Sequence, residues 1–172
     1  MAVKRFKKIL VTTDFSDLSY AALDYAVAIR QFLDVQIYLL YVCEKQRSKK
    51  SSKQPRKKKR SKPISEAIIL QQLSAIADQF LSECGTVKKI IRYGEPYDEI
   101  VKFAQDEKMD LIIISTHGRT GILHAVLGSV TERVVRRSLV PVLTVKPLTI
   151  RTQIMEEEDI DEQLHLRSKN SM

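Results

Sequence analysis

Long apolar runs are scarce in this chain of 172 residues. The longest stretch of strongly apolar side chains is Leu111 to Ile114, where a helix crossing a bilayer needs roughly 20 residues. No transmembrane helix is expected. The basic opening at Lys4, Arg5, Lys7 and Lys8 is followed only by Ile9-Leu10-Val11 before Thr-Thr-Asp. That is too short for the apolar centre of a signal peptide, so export by that route is not expected either. Cysteine is nearly absent. Cys43 and Cys84 form neither a C-x-x-C nor a metal-ligand spacing, and two such thiols read as reduced and packed in a cytoplasmic protein without disulfides. Glycine numbers only five. Neither G-x-x-x-x-G-K-S/T nor G-x-G-x-x-G occurs, which excludes the two most familiar phosphate loops.

What is present describes a globular domain. Hydrophobic residues make up 44% of the chain and charged residues 29%, the balance of a packed protein, and the length suits one domain. The formal net charge of +8 invites a nucleic-acid or membrane reading. Its location narrows that reading: Lys45 to Pro63 holds eleven Lys or Arg and no carboxylate, whereas the other 153 residues carry 18 basic and 21 acidic groups, a net of −3. The basicity is one block. A domain over 1–148, carrying a basic flexible insert at 45–63, is therefore expected to precede an acidic tail at 149–172. That tail mixes Glu156, Glu157, Glu158, Asp159, Asp161 and Glu162 with Ile154, Ile160, Leu164 and Leu166, the pattern of a weakly ordered tail or a short surface helix.

Periodicity predicts the elements. Lys8 to Thr13 is a short β-branched strand ending at Asp14-Phe15-Ser16. From Asp17 to Asp34, Ala22, Ala26, Ile29 and Leu33 recur on one helical face, with Ser16 or Asp17 as the cap. Val35 to Val42 is nearly continuous and apolar, as a strand covered on both faces should be. After the basic block, Ile64 to Cys84 is helical and Gly85 stands where a terminator is wanted. Val87 to Tyr93 is a strand; Pro96 opens a helix; Asp110 to Thr116 is the most apolar strand and a candidate for the sheet centre. A helix around Val130 to Ser138 and a strand from Val142 to Val145 complete the series. Strict alternation predicts an α/β fold, a parallel sheet wound on both faces by helices.

In such a sheet ligands lie beyond the carboxyl ends of the strands, where successive connections diverge. The segment after the fourth strand is the most informative. Gly118, Gly121 and Gly128 are three of the five glycines, and Gly128-Ser129-Val130-Thr131 stands at a helix start. Glycine lets backbone N–H groups approach an anion, and a helix N-terminus adds unpaired donors. The Ser129 and Thr131 hydroxyls lie beside that phosphate cradle. Ordinary strand-to-helix turns use glycine too, so the pattern alone leaves both readings open.

The opening Lys7 to Arg30, the run Gly94-Glu95-Pro96, and Ser115-Thr-His-Gly118 followed after nine residues by Gly128-Ser129-Val-Thr-Glu and then Pro-Val-Leu-Thr-Val resemble the universal stress protein (UspA) family. The resemblance spans about residues 5 to 147. Nucleotide-binding members carry G-x2-G-x9-G-S/T; both spacings and the final Gly-Ser match, with Ser115 at the first glycine. The resemblance implies a flavodoxin-like strand order 3-2-1-4-5 and an ATP site, with Mg2+ accompanying the nucleotide. It places Asp14 near the ribose or a metal-bridged phosphate with Thr12 beside it, and the Val42 backbone at the adenine edge. Ile114 and Ser115 would begin the loop, Gly118 and Arg119 would lie near the phosphates, and Gly128, Ser129 and Val130 would complete the cradle. Subunits would pair as a homodimer through the last strand, about Val140 to Lys146.

Each residue has a plainer use. Asp14 can cap the first helix, Arg119 can be a solvated charge, and Ser129 or Thr131 can cap the last helix. Ser115 and His117 lack the G-x-S-x-G elbow of a serine nucleophile, and His117 and His124 lack a metal-ligand pattern. No base or water-positioning glutamine is identifiable for ATP hydrolysis. The expectation is a nucleotide-binding stress-response module with at most slow hydrolysis, not an enzyme. The alternative is an interaction protein that binds no nucleotide, whose insert at Lys45 to Pro63 contacts RNA, DNA or another polyanion through counterion release. The absence of aromatic residues there weighs towards a solvated loop.

Overall fold

β1 (Lys8–Thr13), α1 (Asp17–Phe32), β2 (Gln36–Glu44), α2 (Glu66–Phe80), β3 (Lys88–Gly94), α3 (Pro96–Asp106), β4 (Leu111–Ser115), α4 (Ser129–Arg137) and β5 (Val142–Val145) follow one another along the chain. The computed structural model describes residues 5–44, 65–118 and 127–148. The expectations for the basic insert, for Arg119 and for the acidic tail lie outside those residues. All five strands are parallel, in the order β3-β2-β1-β4-β5. The expected doubly wound α/β sheet is thus observed.

Two apolar layers hold it. Alternate residues of each strand point to opposite faces. Ile9, Val11, Ile37, Leu39 and Tyr41 pack with Ala22, Leu23 and Ala26 of α1 and Ile69, Leu73 and Ile76 of α2. Leu10, Tyr38, Leu40, Ile112 and Ile114 pack with Ile100, Phe103 and Ala104 of α3 and Val134 of α4. This explains the unbroken apolar character of β2: both of its faces are covered.

One position differs from expectation. β1, not β4, occupies the sheet centre. Both are interior strands, and apolarity separates interior strands from edges without ranking the interior ones.

The local signals act as their chemistry requires. Ser16, rather than Asp17, caps α1, its Oγ accepting from Ser19 N at 3.2 Å. The second helix is shorter than its periodicity predicts: α2 stops at Phe80, a 3-10 turn covers Ser82–Cys84, and Gly85 reverses the chain at φ 69°. Among the described residues no helix is long and apolar enough to cross a membrane.

The amino end of the sheet is closed by one side chain. Asp110 Oδ2, just before β4, accepts from the Lys7 amide at 2.8 Å and the Lys8 amide at 3.1 Å, while Asp110 N donates to Lys8 O at 2.9 Å. This clamp holds β1 beside β4.

Candidate functional site

β1 and β4 are neighbours, yet the chain leaves β1 for α1 on one face and leaves β4 for α4 on the other. The carboxyl ends of these two strands therefore lie where successive helices diverge to opposite faces, the expected ligand position in an open parallel sheet.

From β1 the chain leaves this end of the sheet through a tight turn. Thr12 is buried at the strand end, and Asp14, half-buried, follows immediately. Asp14 Oδ1 accepts from Ser16 N at 3.0 Å and from Ser16 Oγ at 2.5 Å. Asp14 therefore orients the residue that caps α1 instead of capping the helix itself. Phe15 sits at φ 66°, a left-handed conformation that costs a phenylalanine free energy. Its ring stacks on Tyr41 with centroids 4.3 Å apart, and its N–H donates to Thr13 Oγ1 at 3.0 Å. Those contacts hold the turn that presents Asp14. Tyr20, whose hydroxyl donates to Phe15 O at 3.4 Å, is held above the usual phenol range by burial, then by the Asp17 and Asp14 carboxylates.

The β4 side is tied down by hydroxyls and by backbone. Ser115 Oγ donates to Leu18 O in the first turn of α1 at 2.8 Å. This commitment explains how serine fits at a glycine position: its hydroxyl is used by α1. Thr131 Oγ1 donates to Ser115 O at 2.7 Å, so α4 is anchored to the end of β4. Thr116 N donates to Val145 O at 2.8 Å, and Gly128 N donates to Thr116 O at 2.7 Å. The last bond brings the two ends of the glycine-bearing segment together at this end of the sheet.

Two glycines are required by contact. A Cβ on Gly118 would collide with Asp14 Oδ2, and one on Gly128 would stand 2.9 Å from Thr116 O. Gly118 thus lies directly against Asp14, joining the β1 and β4 sides of the site. Gly128 is the N-cap of α4 with no side-chain cap bond, followed by exposed Ser129 and half-buried Val130. The first-turn N–H groups of that helix suit an anion. Ile114 is buried in β4 and supports the floor. Val42 packs its side chain into the α3-side core, two residues beyond Leu40, the partner of Thr12. Its backbone reaches the same end of the sheet.

Of the ten residues expected at the site, Asp14, Ser115, Gly118 and Gly128 are linked through these contacts. Thr12, Val42, Ile114, Ser129 and Val130 occupy the surrounding strand ends and helix start, and Arg119 lies outside the described residues. Thr116 was not among the residues expected at the site. It closes the segment through backbone groups, which a sequence does not display.

The sequence matches the description Universal stress protein family over residues 5–146. The chain belongs to the universal stress protein family. The universal stress protein MJ0577 of Methanocaldococcus jannaschii is 34% identical over 156 aligned residues, which cover 82% of this chain and 95% of that protein. MJ0531 of the same organism is 33% identical, with 82% of each chain covered. Among solved structures, that of MJ0577 superposes with a TM-score of 0.64 at 31% identity, covering 83% of this chain and 97% of that one. A universal stress protein in complex with cAMP superposes with a TM-score of 0.61 at 25% identity, covering 83% and 98%. Family membership, expected from the S-x2-G-x9-G-S spacing, is thus established on the whole domain.

Among the described residues no three His, Cys, Asp or Glu side chains gather as a metal site. The Asp14 carboxylate beside Gly118 fits the way Mg2+ is commonly held, by one or two carboxylates with phosphates and water supplying the other ligands.

Proposed function

We propose that this universal stress protein is a nucleotide-binding regulatory module that takes ATP, with Mg2+ accompanying the nucleotide, at the carboxyl ends of β1 and β4. The observation that carries this reading is the contact of Gly118 with Asp14 combined with the Thr116–Gly128 closure. Together they bring the Asp14 carboxylate, the Gly118 backbone and the start of α4 to one end of the sheet. The complex of a family member with cAMP supports the ligand class. In this reading the first-turn N–H groups of α4 and the backbone at Gly118 hold phosphates, with Gly128 closing the segment onto Thr116 O; Asp14 holds the ribose or the phosphate-bound Mg2+, and the Val42 backbone meets the adenine. His117 and Ser115 form no nucleophile–base pair: Ser115 Oγ donates to Leu18 O, and its 3.4 Å contact with His117 involves that residue's backbone N–H. The module senses or retains nucleotide in the cytoplasm and is not a hydrolytic enzyme. Isothermal calorimetry with ATP and Mg2+, and mass spectrometry of nucleotide carried through purification, test it. Absence of both heat and carried nucleotide would sink it.

The same reading includes a homodimer through β5 and its flanks, Val140 to Lys146. Two features support it. β5 ends the sheet without a charged residue, whereas β3, the other edge, carries Lys88, Lys89 and Arg92. Leu139 beside it is 86% exposed. Charged edges resist strand pairing and apolar ones invite it. Sedimentation should report a dimer that Leu143→Arg converts to monomer.

A second reading rests on the eleven cations of residues 45–63, which follow β2 at the carboxyl end of the sheet. Polyanion binding there would appear as RNA affinity that falls steeply with salt and vanishes on deletion of the block.

A further inference from the structure

Among the described residues, His117 Nε2 is the buried side-chain nitrogen or oxygen that lacks a hydrogen-bond partner. His117 as a whole is 4% exposed. It lies between Thr116, which closes the cradle onto Gly128, and Gly118, which meets Asp14. Orphaned buried polar atoms are rare because the unpaired group loses its hydration without compensation. This one belongs to the residue that joins the two contacts closing the site.

The other ring nitrogen decides what Nε2 offers. Nδ1 is 2.9 Å from Thr116 Oγ1. If the hydroxyl donates to Nδ1, the proton of the neutral ring is on Nε2, and one donor is left unpaired. If Nδ1–H donates to the hydroxyl, both the hydroxyl proton and the Nε2 lone pair are left without partners. Counting unpaired groups selects the first arrangement. His117 therefore holds a dry N–H donor at the base of the glycine-bearing segment. Such a donor, shielded from water, pairs strongly with an anionic oxygen.

We infer that His117 is a positioning residue for phosphorylated nucleotides, its Nε2–H donating to a phosphate oxygen of the ligand. The inference rests on the nucleotide-binding reading and adds a specificity to it. The histidine distinguishes nucleotides from nucleosides, because adenosine brings no phosphate oxygen to satisfy the donor. The backbone donors of Gly118 and of the first turn of α4 do not require this side chain.

The test compares AMP, ATP and adenosine on the full chain. His117→Leu is expected to lower AMP and ATP affinity by roughly tenfold to a hundredfold, the worth of one hydrogen bond to a charged group, while leaving adenosine affinity unchanged. His117→Gln, which retains an amide donor at comparable reach, should recover most of the loss. Long-range 1H–15N spectra of the unsubstituted protein provide an independent readout if His117→Leu fails to fold: the His117 Nε2–H signal should shift with AMP and stay put with adenosine. Unchanged imidazole signals in the AMP-saturated protein would overturn the inference. So would AMP affinity of wild-type strength in the folded His117→Leu protein, or equal loss of AMP and adenosine affinity, which marks a purely structural role. A protein that binds neither AMP nor ATP overturns the nucleotide reading as well, whereas the other adverse results remove only the assignment to His117.

Discussion

The two ends of the sheet are built from similar materials and do different work. At the amino end, the Asp110 carboxylate accepts two backbone amides, from Lys7 and Lys8, and Lys8 Nζ donates to Glu107 O at 3.0 Å. At the carboxyl end, the Asp14 carboxylate accepts from Ser16 through one oxygen and presents the other to Gly118. The first carboxylate ties two strands together with short bonds to their own backbone. The second is held by its neighbour on the same turn and faces a glycine. The difference is between a carboxylate engaged in closing strands and one held in place beside a glycine.

Substitutions should separate the two ends, with the largest effect at the carboxyl end. Gly118→Val forces a side chain into Asp14, and ATP heat in calorimetry should disappear while the thermal unfolding midpoint moves little. A Gly118→Val protein that binds ATP normally would break the contrast. Next, Asp110→Ala should destabilise the fold by about 1–3 kcal/mol in urea unfolding, the cost of leaving hydrogen-bonded amides without their acceptor, with ATP affinity preserved. Ser16→Ala removes the cap of α1 and should cost about 1 kcal/mol. Because Asp14 loses its Ser16 hydroxyl partner as well, this change should also weaken ATP binding modestly, linking stability and site at one end only.

The smallest effect is chemical and needs no change of stability. Cys43 lies in the last residues of β2 at the carboxyl end and is half-buried, whereas Cys84 lies beyond α2, buried, with both thiols free. Burial pushes the Cys84 thiol up, Arg30 opposes this, and Glu83 adds to it. Maleimide labelling at neutral pH should therefore modify Cys43 first, and ATP should slow only that reaction. The sign for stability follows: the native protein keeps the Cys84 proton to higher pH than the unfolded chain. That contribution is present below the ordinary thiol range and fades as pH rises through it. Cys84→Ser should flatten the alkaline decline measured by urea unfolding.

Much of the fold is legible along the chain because its information is local. Alternation within strands, the 3.6-residue recurrence of Ala22 and Ala26, Gly85 at a helix end and Pro96 at a helix start each act within a few residues. The boundaries of β1 and β5 agree with the structure to the residue. The candidate segment stands out for a similar reason, since the intervals between Ser115, Gly118 and Gly128 are distances along one stretch of chain. Less legible was which strand lies at the centre, because the apolar residues of β1 and β4 answer to the same burial.

By itself the sequence determined the alternating elements, two covered faces, one localised block of positive charge and a glycine spacing at the right end of the sheet. These follow from hydrophobic periodicity and backbone freedom, which are properties of neighbouring residues. Only the tertiary structure decided that Asp14 rests against Gly118. Only there does the Ser115 hydroxyl meet Leu18 O, and Thr116 O close onto Gly128 N, while His117 Nε2 finds no partner among the described residues. Each is a contact or a vacancy between groups distant in sequence or hidden in the backbone, and its energy depends on geometry that exists only once β1 and β4 lie side by side.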